Sequence, residues 1–222
     1  MNLKLKIGTI NVRGLADETK RKQLFKTWEC KYNILFLNET HCDNSKEKRW
    51  SDETNYDSIW SNQAYNAGGC AILSNIGKPE TIFKSNNGRI IISTLNIPNI
   101  GEVCLVCGYA PTQNFRKNQI EFLNTLKQKL EPIEIPILLG GDINVCLSKL
   151  DKKGGSDLKY SMYRNEFLKF LMQKGLTDIY RAHHADKKEF TWRDRCRGGV
   201  VVQERLDYIF VPKVYFIFGR KL

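Results

Sequence analysis

Histidine is scarce in this chain, three residues in 222, and the seven cysteines are scattered and odd in number. No cluster of the two has the spacing of a tetrahedral zinc site, so structural and catalytic zinc are not expected. No apolar run approaches the roughly 20 residues needed to cross a bilayer, which predicts a soluble chain with no membrane partner. The opening MNLKLKIGTINVRG alternates Leu and Lys instead of placing an apolar block before a small-residue cleavage site. It reads as a strand, and secretion is not expected. No linker rich in Pro, Gly or Ser, no repeat and no low-complexity tract interrupts residues 1–222, which are read as one domain.

Hydrophobic residues make up 41% of the chain, enough for a substantial core. Lys and Arg outnumber Asp and Glu by 35 to 24, a net charge of +11 that favours a polyanionic partner, whether nucleic acid or an anionic surface. Most cysteines lie inside apolar runs, as buried free thiols do in a reducing compartment, and no disulfides are expected. Cys104 and Cys107 form a C-x-x-C inside EVCLVCGYA, where strand periodicity sends positions three apart to opposite faces. That spacing argues against a redox or zinc role.

Periodicity predicts a strand over Leu3 to Asn11, then a helix from about Thr19 with Leu24, Phe25, Trp28 and Tyr32 on one face and Asp17 as its N-cap. NILFLNETH reads as a strand buried on both sides. A β-rich meander follows, with strands at Tyr56 to Ser61, Gly69 to Leu73, Thr81 to Lys84, Ile90 to Ile97 and Val103 to Tyr109. FRKNQIEFLNTLKQKLE is an amphipathic helix, and IPILLGGDIN is a second buried strand. A helix over Tyr163 to Lys174, the short stretch LTDIY, a strand at Phe190 to Arg193 and a last strand ERLDYIFVP complete the order. The interleaving predicts α/β architecture, a four-layered sandwich of two face-to-face, mostly antiparallel sheets with helices outside.

Four apolar runs meet a carboxylate or carboxamide, in TINVRG, FLNETH, LGGDIN and RLDYIF. Strand ends converge on one sheet edge, so Asn11, Glu39, Asp142, Asn144 and Asp207 can share a cleft. Taken singly, each has a plain alternative. GGDIN is a common turn composition, and Tyr109-Ala110-Pro111 can simply be a strand stopped by proline. A hard cation such as Mg²⁺ needs one or two carboxylates plus water and phosphate oxygens, which Glu39 with a neighbour could provide. Arg193, Arg195 and Arg197 alternate in TWRDRCRGG, so they share a face of a hairpin tip and suit either phosphate contact or solubility. Lys46, Lys48 and Arg49 form a basic cluster with the same two readings, and the pair His183-His184 reads as a surface feature.

Asn11 in TINVRG, then LNETH, AGGCAIL, VCGYAP, GGDIN, LTDIY, FTWR and LDYIF occur in the order seen in apurinic-endonuclease-like retrotransposon nucleases. From residue 7 to about 212 the chain resembles the endonuclease domain of non-LTR, LINE-type retrotransposons, within the endonuclease/exonuclease/phosphatase superfamily of deoxyribonuclease I-like fold. The resemblance implies that Glu39 binds Mg²⁺, with Mn²⁺ an alternative, and that Asn11 beside it holds the metal-water shell or the phosphate. It implies that Asp142 activates the attacking water, Asn144 fixes Asp142 and the scissile phosphate, and Tyr109 donates to that phosphate. Thr191 would support the site or contact DNA, and Arg193, Arg195 and His41 would bind substrate.

In the family the chain continues to a final strand whose Ser-Asp-His supplies a histidine paired with the carboxylate matching Asp207. No such tripeptide occurs here, and the sequence ends in KVYFIFGRKL. The expectation is therefore a domain incomplete at its C-terminus, lacking the last strand, and impaired, since loss of a general acid or base costs roughly 10²–10⁴-fold in rate. The resemblance further implies nicking of double-stranded target DNA in the nucleus, leaving a 3′-hydroxyl for an attached C-terminal reverse transcriptase. The competing expectations are a catalytically dead DNA-binding remnant, or a relative acting on abasic DNA, RNA or inositol phosphates.

Overall fold

A computed structural model of the chain describes residues 5–63, 68–155, 158, 160–195, 199 and 201–213. The first half contains β1 (Ile7–Asn11), α1 (Glu18–Glu29), β2 (Ile34–Asn38), α2 (Asn44–Asp52), β3 (Asp57–Ser61) and β4 (Cys70–Ser74). Its strands form a sheet in the order β1-β2-β4-β3, with only β1 and β2 parallel. The second half runs through β5 (Glu80–Lys84), β6 (Ile90–Ile97), β7 (Gly101–Tyr109), α3 (Arg116–Leu130), β8 (Ile137–Asp142), β9 (Lys152–Lys153) and α4 (Met162–Gln173). It then continues with β10 (Leu176–Asp178), α5 (Ile179–His183), β11 (Trp192–Arg195), β12 (Val201–Glu204) and β13 (Asp207–Pro212). Six of these strands form a second sheet, β10-β13-β8-β7-β6-β5, in which β7 and β8 are parallel and the other pairs antiparallel.

Three apolar clusters separate four layers. Ile34, Phe36 and Ile72 of the first sheet meet Ile91, Leu105 and Cys107 of the second. The other face of the first sheet, with Leu35 and Leu37, packs on Phe25 and Trp28 of α1 and Trp50 of α2. The other face of the second sheet, with Cys104, Val106 and Leu139, packs on Leu123 and Leu126 of α3 and Phe167 and Phe170 of α4. Strand β2 is buried along its whole length because successive residues feed two different cores. The same alternation puts Cys104 and Cys107 on opposite faces, as the spacing predicts. Asp17 caps α1 by accepting from the Lys20 amide.

Several boundaries differ from the sequence reading. Tyr32 lies beyond α1 and packs on its core from the loop. ERLDYIFVP is broken at Arg205-Leu206 into the end of β12 and the whole of β13, and LTDIY is a short strand running into a one-turn helix. The strand read at Phe190 starts at Trp192 and pairs with β12, whose other edge holds β9, giving a small third sheet that pattern alone did not suggest. Among the described residues the cysteines are free, Cys30 being exposed and the other five buried. No described helix is long and apolar enough to cross a membrane. The apolar tail at 214–222, Cys196 and Arg197 lie outside the described residues.

Candidate active site

Strands β1 and β2 run in register to Asn11 opposite Asn38, and β7 and β8 to Tyr109 opposite Asp142. The sequence pattern predicts Asp207 at the end of a strand; it opens β13 instead. Because β13 is antiparallel to β8, its first residue pairs with the last residue of β8, so Asp207 sits opposite Asp142 at the same edge. The site is the place where the corresponding edges of two stacked sheets meet.

The two glycines before Asp142 allow that meeting. A Cβ on Gly140 would collide with the Phe36 ring from the facing sheet, and one on Gly141, whose φ is +150°, with the Gly108 carbonyl on β7. The Gly-Gly-Asp run is therefore a strand squeezed between neighbours, not a turn.

Asn11 joins the two sheets at the front of the site. Its Nδ2 donates to Glu39 Oε1 at 2.7 Å and to Asp142 Oδ2 at 3.2 Å, while its Oδ1 accepts from the Arg13 amide at 3.2 Å. The Tyr109 hydroxyl donates to the same Glu39 oxygen at 3.0 Å. Asn144 fixes Asp142 through its backbone amide, 2.9 Å from Oδ1, and anchors its own carboxamide on the Ala110 carbonyl at 2.7 Å. Of the five non-glycine residues with positive φ among the described residues, four belong to these loops: Arg13, Glu39, His41 and Asn144. Left-handed backbone concentrated in this way is a mark of functional loops.

Burial and mutual repulsion govern the acids. Asp142 is 5% exposed, and burial, then the nearby Asp207 charge, push its carboxyl up to about 7, against the pull of the Asn11 and Asn144 donors. Asp207 is also raised, first by burial; Glu39 adds to the rise, while the Thr191 hydroxyl and the Arg13 charge oppose it. Tyr109 is raised by burial and by Glu39, so its hydroxyl stays a proton donor.

Asn11, Glu39, Asp142, Asn144 and Asp207 line an open cleft of about 870 Å³ together with Thr9, Thr112, Trp192 and Arg193. Thr191 closes its floor: its Oγ1 accepts from the amides of Leu206 and Asp207 at 3.0 and 3.2 Å, holding the start of β13 in place. Arg193 lines the cleft from β11, and Arg195 is on the same strand two positions on. His41 lies behind this set, its imidazole against Gly14 and its amide bonded to the Gly68 carbonyl. Lys46, Lys48 and Arg49 are on α2, where Lys46 pairs with Asp43 and Arg49 approaches Glu53. The pair His183-His184 ends the short helix α5, and the His184 ring lies tilted against Tyr180, centroids 4.9 Å apart.

Three further residues matter that the motif reading passed over. Asn38 is fully buried behind the site: its Oδ1 accepts from the Asp142 amide at 3.0 Å and its Nδ2 donates to the Gly108 carbonyl at 3.2 Å, which ties the first sheet to the second. A carboxamide closing an all-apolar strand was the available signal. Arg89 stacks on the Tyr109 ring at 4.8 Å and donates to the Tyr109 carbonyl at 3.2 Å, yet it sits in a turn with no motif around it. Arg205 is 3% exposed and donates to both Asp151 and Asp178, bracing the turn that leads into Asp207.

The donor set suits a hard divalent cation. Glu39, Asp142 and Asp207 bring three carboxylates to one place, and Asp207 Oδ1 is buried with no hydrogen-bond partner among the described residues. Asp142 and Asp207 hold their charge poorly without added positive charge, which such an ion would supply. Among the described residues no group of three or more His, Cys, Asp and Glu side chains is placed to hold a metal ion by itself, so water and substrate oxygens would have to complete the coordination of an ion bound there.

Residues 8–218 match the model of the Endonuclease/Exonuclease/phosphatase family. The chain belongs to that family. Over 93% of its length it is 26% identical to a protein of Xenopus laevis described as the transposon TX1 uncharacterized 149 kDa protein, and it spans 16% of that relative. Its fold is that of an AP endonuclease from Archaeoglobus fulgidus, with a TM-score of 0.74 and 23% identity over 95% of this chain and 87% of the other. The catalytic domain of Xenopus laevis APE2 superposes with a TM-score of 0.73 and 17% identity, over 95% and 83% of the two chains. A 3′-5′ exonuclease from Neisseria meningitidis gives 0.71 and 20%, over 95% and 88%. The four-layered deoxyribonuclease I-like sandwich expected from the sequence is thus the observed fold.

Proposed function

We propose that this chain is the Mg²⁺-dependent endonuclease portion of a LINE-type retrotransposon protein, nicking one strand of duplex DNA to leave a 3′-hydroxyl. The observation that carries this reading is the convergence of Glu39, Asp142 and Asp207 around Asn11 and Tyr109, in a family member with net charge +11 and a transposon relative. The 3′-hydroxyl would prime a reverse transcriptase carried elsewhere in the longer polypeptide, and chromosomal DNA as target makes the nucleus the working compartment.

In this reading Glu39 holds the cation, which when bound neutralises phosphate charge and polarises a non-bridging oxygen. Asp142 orients the attacking water and accepts its proton, a task suited to a carboxyl raised toward neutrality. Asn11 keeps Glu39 and Asp142 at a common spacing, and Asn144 holds Asp142 from the other side. The Tyr109 hydroxyl is a donor poised to turn toward phosphate, and the basic hairpin of β11 and β12 borders the path of the strand. In-line hydrolysis needs a positioned water and neutralised oxygens, and these residues supply both.

The test is conversion of supercoiled plasmid to open circle with Mg²⁺, comparing the wild type with Glu39→Ala and Asp142→Ala. Nicking that requires both carboxylates and is abolished by chelation is expected. Nicking unchanged in either variant would remove the site.

A further inference from the structure

Arg13 lines the cleft beside Asn11, Glu39 and Asp207, on an exposed turn in which its own φ is +48° and that of Gly14 is +83°. Two successive left-handed residues, one of them carrying a side chain, persist only where surroundings over-determine them. Here they do. The β1–β2 ladder continues past both strands, with the Val12 amide on the Asn38 carbonyl at 2.9 Å and the Gly14 amide on the Glu39 carbonyl at 2.7 Å. Lys20 Nζ grips the carbonyls on either side of Arg13, Val12 at 2.9 Å and Gly14 at 2.8 Å. Fully buried Arg21 then holds the Leu15 carbonyl at 2.8 Å and is itself locked by Glu53.

All this scaffolding presents a guanidinium that forms no ion pair or side-chain hydrogen bond within the described residues, next to acids it could neutralise. Lys20 and Arg21 next along the chain are bound into the turn, so Arg13 is left as the donor fork aimed at a ligand. Arg13 and Asp207 line the same cleft, and the Arg13 charge opposes the rise of the Asp207 carboxyl. A planar five-donor fork beside a carboxylate-rich metal site matches a phosphodiester oxygen.

We propose that Arg13 is a catalytic residue that contacts the phosphodiester of the bound strand in this cleft. The assignment rests on the nuclease reading above. It makes Arg13 a contact to the reacting phosphate, so its removal weakens both binding and turnover.

The experiment measures binding of a 20-base-pair duplex across a salt series without divalent ion, and plasmid nicking with Mg²⁺, for wild type, Arg13→Gln, Arg13→Lys and Lys117→Gln. Lys117 on α3 is a control that removes one exposed charge and is not among the residues that line the cleft. Arg13→Gln is expected to lower the slope of log affinity against log salt by about 0.9, one phosphate contact. Its nicking rate should fall about 10²-fold, with the folded state retained because the side chain forms no ion pair or hydrogen bond within the described residues. Arg13→Lys should keep the salt slope and recover only part of the rate, because a point charge replaces a fork. A Gln variant that matches Lys117→Gln in slope and rate overturns the assignment of Arg13 while leaving the nuclease reading intact. A wild type that neither binds the duplex nor nicks overturns both.

Discussion

Asp142 and Asp207 are paired across the β8–β13 ladder, where the Asp207 charge helps to raise the Asp142 carboxyl, and neither is salt-bridged by a described residue. Like charges directly opposite on antiparallel strands oppose folding. In the proposed mechanism a bound cation balances this charge.

One consequence is a pH-dependent gain from neutralising Asp142. Its folded carboxyl titrates near 7 and its unfolded one near the ordinary aspartate value. The folded state therefore binds the extra proton, so stability falls as pH rises from about 4 to about 7 and stays lower above that. Asp142→Asn without divalent ion should raise the melting temperature at pH 8, by roughly 1–3 kcal/mol of stability, and by nothing near pH 4. Calorimetric scans at both pH values check this. A gain of equal size at the two would mean the cause is not ionisation.

Mg²⁺ should reverse the balance. Added at pH 8 it is expected to raise the melting temperature of the wild type by linkage, and to do so far less in Glu39→Ala. Thermal scans across a Mg²⁺ titration give the answer, and equal shifts in the two proteins would place the ion elsewhere.

Replacing Asn38 by Leu keeps volume in a fully buried position but leaves the Asp142 amide and the Gly108 carbonyl unpaired. Each stranded group costs about 1–3 kcal/mol. Urea denaturation should show a loss of at least 2 kcal/mol, with nicking reduced even at temperatures where the variant is folded.

Arg205→Met strands Asp151, which is 1% exposed, and Asp178 without their shared guanidinium. A loss of about 3–5 kcal/mol is expected, as for other buried pairs broken from one side. Arg181 still reaches Asp151 at 2.7 Å and moderates the effect there. Denaturation midpoints of Arg205→Met and Arg181→Met, compared, measure the share of each.

Gly141→Ala brings a Cβ into the Gly108 carbonyl on the neighbouring strand, with nothing flexible to yield. Loss of soluble folded protein, or destabilisation beyond about 2 kcal/mol, is the expected result. A folded variant with wild-type stability would mean that β7 and β8 can separate more than their register implies.

The alternation of apolar residues and the runs broken by Asn, Glu or Asp were enough to place strands, the two-sided burial of β2, the Asp17 cap and the opposite faces of Cys104 and Cys107. These are properties of neighbours along the chain, and period two or 3.6 carries them. The motif order likewise pointed to Asn11, Glu39, Tyr109, Asp142, Asn144 and Asp207. What lay outside its reach was how residues more than a hundred positions apart touch. Asp207 proved to begin a strand because antiparallel pairing, not sequence, decides which end reaches the cleft. Asn38 and Arg89 hold the site by bonds to backbone groups of distant elements, which leave no residue type to recognise, and Arg205 does so through Asp151 and Asp178, 54 and 27 positions away. The sequence by itself singled out the side chains proposed to carry the chemistry. The stacking of two sheets decided which of them stand face to face.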